Sequence, residues 1–425
     1  MLKRRYVKLL TFIKCRKKVL QIFNNLFKET RQKAKSLITF LQLQKQYTPL
    51  VYDPMDFKMI QKKLKSILEH PKPMNNNFTK VEQEIIDKIQ EKTKTNNLNN
   101  NTRTQAYLEV YKRNSNLHWA FLAHMVSRNG GWNMTDLKGE FLPRLLNNEK
   151  RLATFLMLER ANALIFQDAY PQLLLYEESF RLNKNLFHLL DAFHISKFMR
   201  PFWDFFWSNQ QQSTLLTIAL IINEQNYIEK RVVLNPKYKE KVLDKFYFKT
   251  QSILQLNQVL FPMITSHQND KKDLVGVTVQ NFSNLKERIE VGKKLYTILF
   301  CYPDYYQAIK TFSTQVPHTG SRVDYCPELF SKKKSASSNY SMQKIIGCKL
   351  KKGAEPLFSP ELTEIWSNVP FQSTTQEDWF MDLSILKHFK KIKPPITLEM
   401  THNYCQALNK IELAVMAEKM LFEDH

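Results

Sequence analysis

Residues 117–136 read LHWAFLAHMVSRNGGWNMTD, and this stretch decides the fold class. Wound as a helix, its first half is apolar on nearly every side, which is typical of a helix buried at the centre of a helical protein. Gly130 and Gly131 predict the end of that helix, because glycine is favoured just beyond helix C-termini. Thr135 has the side chain needed to cap the next helix. We therefore predict a buried helix, a tight turn and a second helix.

Most of the remaining chain shows the same helical character. Apolar residues recur at three and four positions through long windows that Gly, Pro or Asn residues separate. The alternation LVGVTV at residues 274–279 is a short strand signal. The sequence predicts an all-α fold, a large irregular multi-helical domain with a basic N-terminal helical arm. The predicted helices of the main domain are 103–128, 149–168, 171–182, 184–200, 211–231, 236–260, 283–300 and 398–422.

Charge and helix-breaking residues divide the chain into three parts. The first 101 residues carry 22 basic and 8 acidic side chains, and residues 1–70 predict a basic amphipathic helical arm. Asn and Pro runs make residues 71–101 linker-like, with one short helix predicted over 80–92. Residues 102–425 form the predicted helical main domain, with a loop-rich insert near 317–380.

The composition excludes several common function classes. The 425 residues include 8 glycines and neither a G-x-G-x-x-G nor a G-x-x-x-x-G-K-[ST] run, so the usual dinucleotide and P-loop phosphate motifs are missing. The apolar stretches are too short to cross a bilayer, and no signal-peptide pattern opens the chain. The 5 cysteines are scattered without C-x-x-C spacing, which favours a reducing, cytoplasmic compartment.

The net charge of +23 is large enough to influence which partners the protein binds. Lys and Arg flank an apolar helical stripe within residues 1–35, and three interpretations of this arm stay open. In the first, the arm lies on an anionic membrane surface and makes a cytoplasmic protein peripherally membrane-associated. In the second, it binds nucleic acid without reading its sequence. In the third, the stripe packs on the core and leaves the lysines in solvent.

The polar residues of the 117–136 stretch have two interpretations. His124 and Arg128 are four residues apart and share a helix face. In one interpretation they line a pocket together with Asn129, Trp132 and Asp136. In the other, which we favour, the same side chains form a buried structural network, since such networks also gather His, Arg and Asp.

Two further apolar helices carry charged residues. Glu159 and Arg160 lie in an otherwise apolar helix, and Glu224 follows the apolar run of residues 215–222. Burying an unpaired charge is very costly, so these groups are predicted to be paired. Carboxylates on several helices also occur in di-iron bundles, but no Glu-x-x-His pair accompanies them in these helices. We therefore predict pairing between arginine and glutamate, with no metal and no cofactor.

A third motif, HTGSRVDY at residues 318–325, lies in the loop-rich region. Arg322 has the planar group that binds phosphate or carboxylate in bidentate fashion, and His318 and Asp324 flank it. The alternative is an ordinary turn in which Arg322 and Asp324 pair with their neighbours. The chain contains no G-x-S-x-G and no H-E-x-x-H motif, so hydrolases with those signatures have no support.

The same motifs carry a resemblance to a known family. HWAFLAHMVSRNGGWNMTDL, FLMLERANALIFQDAYPQLLLYE and HTGSRVDY resemble the uncharacterised YppC-like family of Gram-positive spore-forming bacteria, a domain of unknown function. The resemblance covers roughly residues 95–385. It implies a largely helical, cytosolic bacterial protein, and it brings no activity and no site residues to this chain.

Three functional hypotheses therefore stay open. The favoured hypothesis is a non-catalytic cytosolic binding or scaffold protein, with a protein partner or, through its arm, a membrane surface. The alternatives are an enzyme or small-molecule-binding protein with a polar pocket for a phosphate or carboxylate ligand, and non-specific nucleic-acid binding through the arm. The candidate ligand-binding residues are His124, Arg128, Asn129, Trp132, Asp136, Glu159, Arg160, Glu224, His318, Arg322 and Asp324.

Overall fold

The fold is predominantly α-helical, which confirms the predicted fold class. The computed structural model describes residues 46–71, 77–243, 257–264, 273–335, 343–374, 377–390 and 398–422. The α-helices are α1 Pro54–Glu69, α2 Lys80–Asn96, α3 Asn100–Arg113, α4 His118–Asp136, α5 Leu142–Leu145, α6 Asn148–Leu182, α7 Arg200–Ser208, α8 Ser213–Ile228, α9 Pro236–Tyr238, α10 Leu285–Phe300, α11 Pro303–Gln315, α12 Leu362–Ile365 and α13 Thr401–Phe422. The strands are β1 Gln258–Met263, β2 Asp273–Thr278, β3 Phe330–Ser331, β4 Ile345–Ile346, β5 Lys349–Leu350 and β6 Leu357–Phe358. Short 3-10 helices span Phe187–Phe193, Arg322–Asp324 and Leu383–Phe389, and π-helical turns span Glu229–Val233 and Lys239–Leu243.

Helix α4 lies at the centre of the packed domain, as its apolar sequence predicts. It contacts α3, α6, α8, α10 and β1. Trp119, Phe121 and Met125 of this helix are fully buried. Ser127, Arg128 and Asn129 of the same helix are also buried, so α4 carries polar side chains into the core.

Gly130 and Gly131 do not end α4, and the turn predicted there is wrong. The helix continues to Asp136, and Thr135 lies inside it rather than at an N-cap. A Cβ atom on Gly131 would overlap Asn100 Oδ1 and lie 2.5 Å from His318 Nε2. The glycine therefore permits close packing against α3 and the 318–325 loop. That tertiary constraint outweighs the poor helix propensity of glycine.

Several other predicted helix boundaries are also wrong. Two helices, α3 and α4, replace the single helix predicted over 103–128, because the chain turns at residues 114–117. One helix, α6, runs through the buried Pro171 where two helices were expected. Contacts of α6 with α2, α3, α4 and α8 outweigh the ~3 kcal/mol that a proline costs inside a helix. Residues 184–200 contain a 3-10 helix rather than an α-helix.

Strands β1 and β2 form an antiparallel pair in which Leu260 lies opposite Gly276. β2 confirms the predicted strand signal. The helix predicted over 236–260 is wrong at its described C-terminal end, because β1 begins at Gln258. A Cβ atom on Gly276 would overlap the carbonyl oxygen of Val259, so the close approach of the two strands requires glycine. The pair packs on α4, α10 and α11.

The loop-rich region holds two small strand pairs, with β3 and β6 parallel and β4 and β5 antiparallel. Cys348, between β4 and β5, forms a disulfide with Cys405 of α13, 57 residues further along the chain. The scattered cysteine spacing does not predict this bond, because the fold brings the two residues together. Cys301 and Cys326 are buried free thiols.

The N-terminal part of the chain is described from residue 46 onward. Helix α1 buries Ile60 and Leu64 and contacts α7. Helix α2, within the segment predicted to be linker-like, begins at a capping box and packs on α6. Residues 1–35 lie outside the described residues, so the three interpretations of the basic arm stay predictions. None of the described helices combines the length and apolarity needed to cross a bilayer.

Candidate functional site

Asp324 is the centre of a buried polar network between α4 and residues 318–325, which we call the α4 network. Trp132 Nε1 donates a hydrogen bond to Asp324 Oδ2 at 3.2 Å, and the backbone N–H and hydroxyl of Thr319 donate at 3.0 and 2.6 Å. His318 Nδ1 lies 3.5 Å from the same carboxylate. Although burial raises it, hydrogen bonds from His318 and Thr319 hold the pKa of Asp324 below its ordinary value.

Arg128 joins the α4 network from the preceding turn of the helix. Its fully buried guanidinium donates to the carbonyl oxygens of Val316 and Pro317 at 2.9 and 3.3 Å and lies 4.0 Å from Asp324. The guanidinium also stacks on Phe312, with 4.5 Å between Cζ and the ring centroid. Burial lowers the pKa of Arg128 to about 10, so the group stays charged at neutral pH. Arg128 therefore ties the end of α11 to α4.

Arg322 and Asp136 form the second charged pair of the α4 network. Arg322 Nη2 lies 2.6 Å from Asp136 Oδ2, and the guanidinium also donates to Asn133 and Tyr325 at 3.0 and 2.6 Å. Although burial lowers it, the charge of Asp136 raises the pKa of Arg322 well above its ordinary value. A cavity of about 30 Å³ adjoins the pair, which is the volume of one water molecule in the liquid.

His124 and Asn129 join α4 to two further elements, α3 and β1, by hydrogen bonds. His124 Nδ1 lies 2.8 Å from the carbonyl oxygen of Thr104 in α3, so this nitrogen carries the hydrogen. Burial lowers the pKa of His124 well below its ordinary value, which keeps the imidazole neutral. The Asn129 amide donates to the Leu260 carbonyl at 2.7 Å and accepts from the Leu260 N–H at 2.8 Å. The predicted set on α4 therefore fastens α3, β1 and the 318–325 loop to one helix.

A second group of polar residues surrounds a cavity of about 160 Å³, which we call the central cavity. Residues of α3, α4, α6, α8 and α10 line it, together with β1. The lining is mainly apolar, with the aromatic side chains of Tyr107, Trp119 and Phe282 among its walls. Its polar lining residues are Arg103, Ser127, Asn162, Glu224, Gln225 and Arg288.

Both arginines of the central cavity are neutralised by glutamates. Arg103 Nη2 lies 2.5 Å from Glu159 Oε2, and Nη1 donates to Asn97 Oδ1 at 3.1 Å. This confirms that Glu159 is paired, as the cost of burying its charge predicts. On the other side, Arg288 forms an ion pair with Glu229 and donates through Nε to the side chain of Gln225 at 2.9 Å.

Glu224 is the acidic residue that lines the central cavity. Its carboxylate accepts a hydrogen bond from Gln225 Nε2 at 3.1 Å. Among the described residues, no basic side chain forms an ion pair with it. Burial raises the pKa of Glu224 to about 8, more than hydrogen bonds from Gln225 and Trp119 lower it, so the carboxyl is mostly protonated at neutral pH.

Two buried groups, Tyr107 and Asp168, interact electrostatically with Glu224. The Tyr107 hydroxyl has no hydrogen-bond partner within the described part of the chain. Burial, together with the charge of Glu224, raises the pKa of Tyr107 well above its ordinary value. Asp168 accepts hydrogen bonds from Asn223 and Gln172, and burial raises its pKa to about 7. Glu224 in the cavity wall and Asp168 outside it are therefore buried carboxyl groups for which no ion pair is found among the described residues.

Residues 95–411 match the family model described as a protein of unknown function, DUF2515. The chain belongs to the DUF2515 family. It is similar to the uncharacterized protein YppC of Bacillus subtilis (strain 168), with 36% identity over 337 residues, which covers 79% of this chain and 96% of that protein. Both matches confirm the resemblance to the YppC-like family. No solved structure gives a significant match.

The part that matches the DUF2515 family contains the α4 network and the central cavity in full. Of the residues predicted from sequence, Glu224 lines the central cavity. Glu159 does not line it but forms an ion pair with Arg103, which does. Arg160 lies elsewhere, in a pocket with other basic residues. No three His, Cys, Asp or Glu side chains in the described ranges come together in a way that would hold a metal.

Several residues that line the central cavity are not identified from the sequence. Arg103 and Tyr107 are four residues apart on the buried face of α3, and this spacing was the available signal. An arginine on the same helix face as buried aromatic residues needs an acidic partner. Arg288 gave a weaker signal, because it is one of several charged residues of α10.

Proposed function

We propose that this DUF2515-family protein is a binding protein whose central cavity holds a small, largely apolar molecule that carries one amino group. The observation that carries this proposal is the position of Glu224, an acidic side chain on the cavity wall that forms no ion pair with a described basic residue. A protonated amine beside Glu224 would form an ion pair with it once the carboxyl has released its proton.

The size and lining of the cavity set the class of ligand. Its volume of about 160 Å³ is close to that of an apolar protein cavity that binds benzene, about 150 Å³. Tyr107, Trp119 and Phe282 present aromatic rings, which attract organic cations through their faces. The ligand is therefore of the size of a substituted benzene or a short branched alkylamine.

The charge balance favours a cation over the acidic ligand considered from the sequence. Arg103 and Arg288 already have glutamate partners, so neither offers a full positive charge to an incoming anion. An anion would be repelled by Glu224 whenever this carboxyl releases its proton, whereas a protonated amine would stabilise the ionised carboxylate. Arg128 and Arg322 are held in the α4 network and do not line this cavity.

Three probes of nearly equal size test the proposal. Benzylamine, benzyl alcohol and benzoate carry a positive, a neutral and a negative head group on the same ring. Binding to the full-length protein is measured by calorimetry and by the shift in melting temperature. We expect benzylamine to bind most tightly and benzoate least tightly. Preferential binding of benzoate, or no binding of benzylamine, would contradict the proposal.

Two variants locate the binding in the cavity. Glu224→Gln removes the charge and keeps the shape, and should weaken benzylamine about tenfold while leaving benzyl alcohol unchanged. Ala123→Leu fills the cavity and should abolish binding of both probes, provided that its circular dichroism spectrum matches that of the wild type. The exposed Glu84→Gln is the matched control for the loss of one acidic group, and benzylamine affinity should not change in it.

A further inference from the structure

A second pocket of about 340 Å³ lies apart from the central cavity and shares none of its lining residues. Helix α6, the π-helical turn after α8, the short helix α9 and the segment 377–379 line it. We call it the basic pocket, because four of its lining residues are cations. These are Arg160, Lys230, Arg231 and Lys237.

The two arginines of the basic pocket are oriented by backbone and aromatic groups. Arg160 donates to the carbonyl oxygen of Gln372, and its guanidinium lies 5.4 Å from the Phe371 ring centroid. Arg231 donates to the carbonyl oxygens of Tyr227 and Glu377 at 3.0 and 2.8 Å. These contacts fix the planes of both guanidinium groups while preserving their positive charge.

The four cations of this pocket outnumber its two carboxylates, Glu377 and Asp378. Arg160, Lys230 and Lys237 form no ion pair with any acidic side chain in the described part of the chain. Asp378 also lines the pocket, but its carboxylate accepts hydrogen bonds from the Ser196 hydroxyl at 2.6 Å and from two backbone N–H groups at 3.0 Å each. Glu377 is exposed to solvent.

The basic side chains also repel one another. Burial lowers the pKa of Arg160, and the charge of Arg231 lowers it further. Bringing like charges together in this way is unfavourable unless a counterion binds between them. Paired arginines bind the oxygens of a phosphate group in bidentate fashion, and flanking lysines add point charges.

We propose that the basic pocket binds a small molecule through a phosphate group. Tyr238 and Trp379 in the pocket wall offer apolar surface to the remainder of such a molecule. This site is independent of the central cavity, since a different helix face and different charges form it. The proposal therefore stands whether or not the central cavity binds an amine.

Phenyl phosphate is the probe for this site, with benzoate as a carboxylate of similar size. Calorimetry on the full-length protein at constant ionic strength should show binding of phenyl phosphate that weakens about tenfold in Arg160→Gln/Lys230→Gln. The matched control, Lys62→Gln/Lys65→Gln on the exposed face of α1, removes the same charge and should bind as the wild type does. Glu224→Gln in the central cavity should likewise bind phenyl phosphate normally.

Three results would overturn the proposal. The first is unchanged binding in Arg160→Gln/Lys230→Gln, and the second is equal weakening in the α1 control, which would indicate a general effect of charge. The third is benzoate binding as tightly as phenyl phosphate. If the first variant does not fold, Lys237→Gln replaces it, because Lys237 is exposed and its removal leaves the core intact.

Discussion

Arg103 Nη2 lies 2.5 Å from Glu159 Oε2 in an ion pair whose side chains are 1% and 6% exposed. This pair matters for the chemistry of the central cavity, because it neutralises one of the two arginines that line it. It also joins α3 to α6 inside the core. Its removal therefore has consequences for both stability and binding.

Arg103→Met should destabilise the protein by about 3–5 kcal/mol, because it leaves the buried Glu159 without its cation. The double variant Arg103→Met/Glu159→Met replaces both charges with apolar groups and should lose much less stability than the sum of the single variants. Urea unfolding measures the three free energies. Additive losses would show that the pair is not an energetic unit.

Gly131→Ala and Gly130→Ala form a matched test of the packing of α4. A Cβ atom at 131 overlaps Asn100 and meets His318 at 2.5 Å, whereas one at 130 lies 3.3 Å from the Asn162 amide nitrogen. We expect Gly131→Ala to cost about 1–3 kcal/mol through overpacking. Gly130→Ala should be nearly neutral, since the gain in helix propensity offsets the tight contact. Equal melting temperatures for the two variants would contradict the described packing.

The free energy of unfolding should depend on pH, because Glu224 and Asp168 have raised pKa values in the folded state. Burial raises the pKa of Glu224 to about 8 and that of Asp168 to about 7. In the unfolded chain, both groups release their protons near pH 4. The folded state then binds more protons, so the free energy of unfolding falls as pH rises from about 4 to 8, by at most about 1.4 kcal/mol per pH unit for each group.

Glu224→Gln should reduce this fall between pH 5 and pH 8, as measured by urea unfolding at each pH. The exposed Glu84→Gln serves as the control and should keep the wild-type slope. A Glu224→Gln variant with the same slope as the wild type would show that Glu224 does not hold a proton in the folded state.

The disulfide between Cys348 and Cys405 should stabilise the oxidised protein. It closes a loop across 57 residues and fastens the β4–β5 hairpin to α13. Cys405→Ser should lower the free energy of unfolding by about 2–4 kcal/mol under oxidising conditions. In the presence of reductant, the wild type and the variant should melt at similar temperatures. A wild-type protein that reductant leaves unaffected would contradict this expectation.

The sequence predicts the class of fold and its central helix, because both depend on local periodicity. The apolar run from Trp119 to Met125 identifies α4 as buried without any tertiary information. The ends of helices depend on tertiary contacts, and their prediction fails at Gly131 and at Pro171. Each of these residues is acceptable inside a helix because of neighbours that lie far away in the sequence.

The candidate site is less predictable than the fold. A buried glutamate requires a partner, so the pairing of Glu159 follows from the sequence, but the identity of Arg103 does not. The central cavity is a space between five helices, and no periodic pattern in the sequence predicts it. That Glu224 forms no ion pair with a described basic residue can be recognised only when the partners of both cavity arginines are known.

The most direct test of the central claim is calorimetric titration of benzylamine into the full-length protein at pH 6, 7 and 8. Because Glu224 must release a proton to pair with the amine, the affinity should rise about ninefold from pH 6 to 7 and about fivefold from pH 7 to 8 in the wild type, and stay constant in Glu224→Gln. The same titrations in buffers of different ionisation enthalpy should show that about one proton is released per ligand bound. A wild-type affinity that does not change with pH, or that changes equally in Glu224→Gln, would contradict the assignment of the cavity to a cationic ligand.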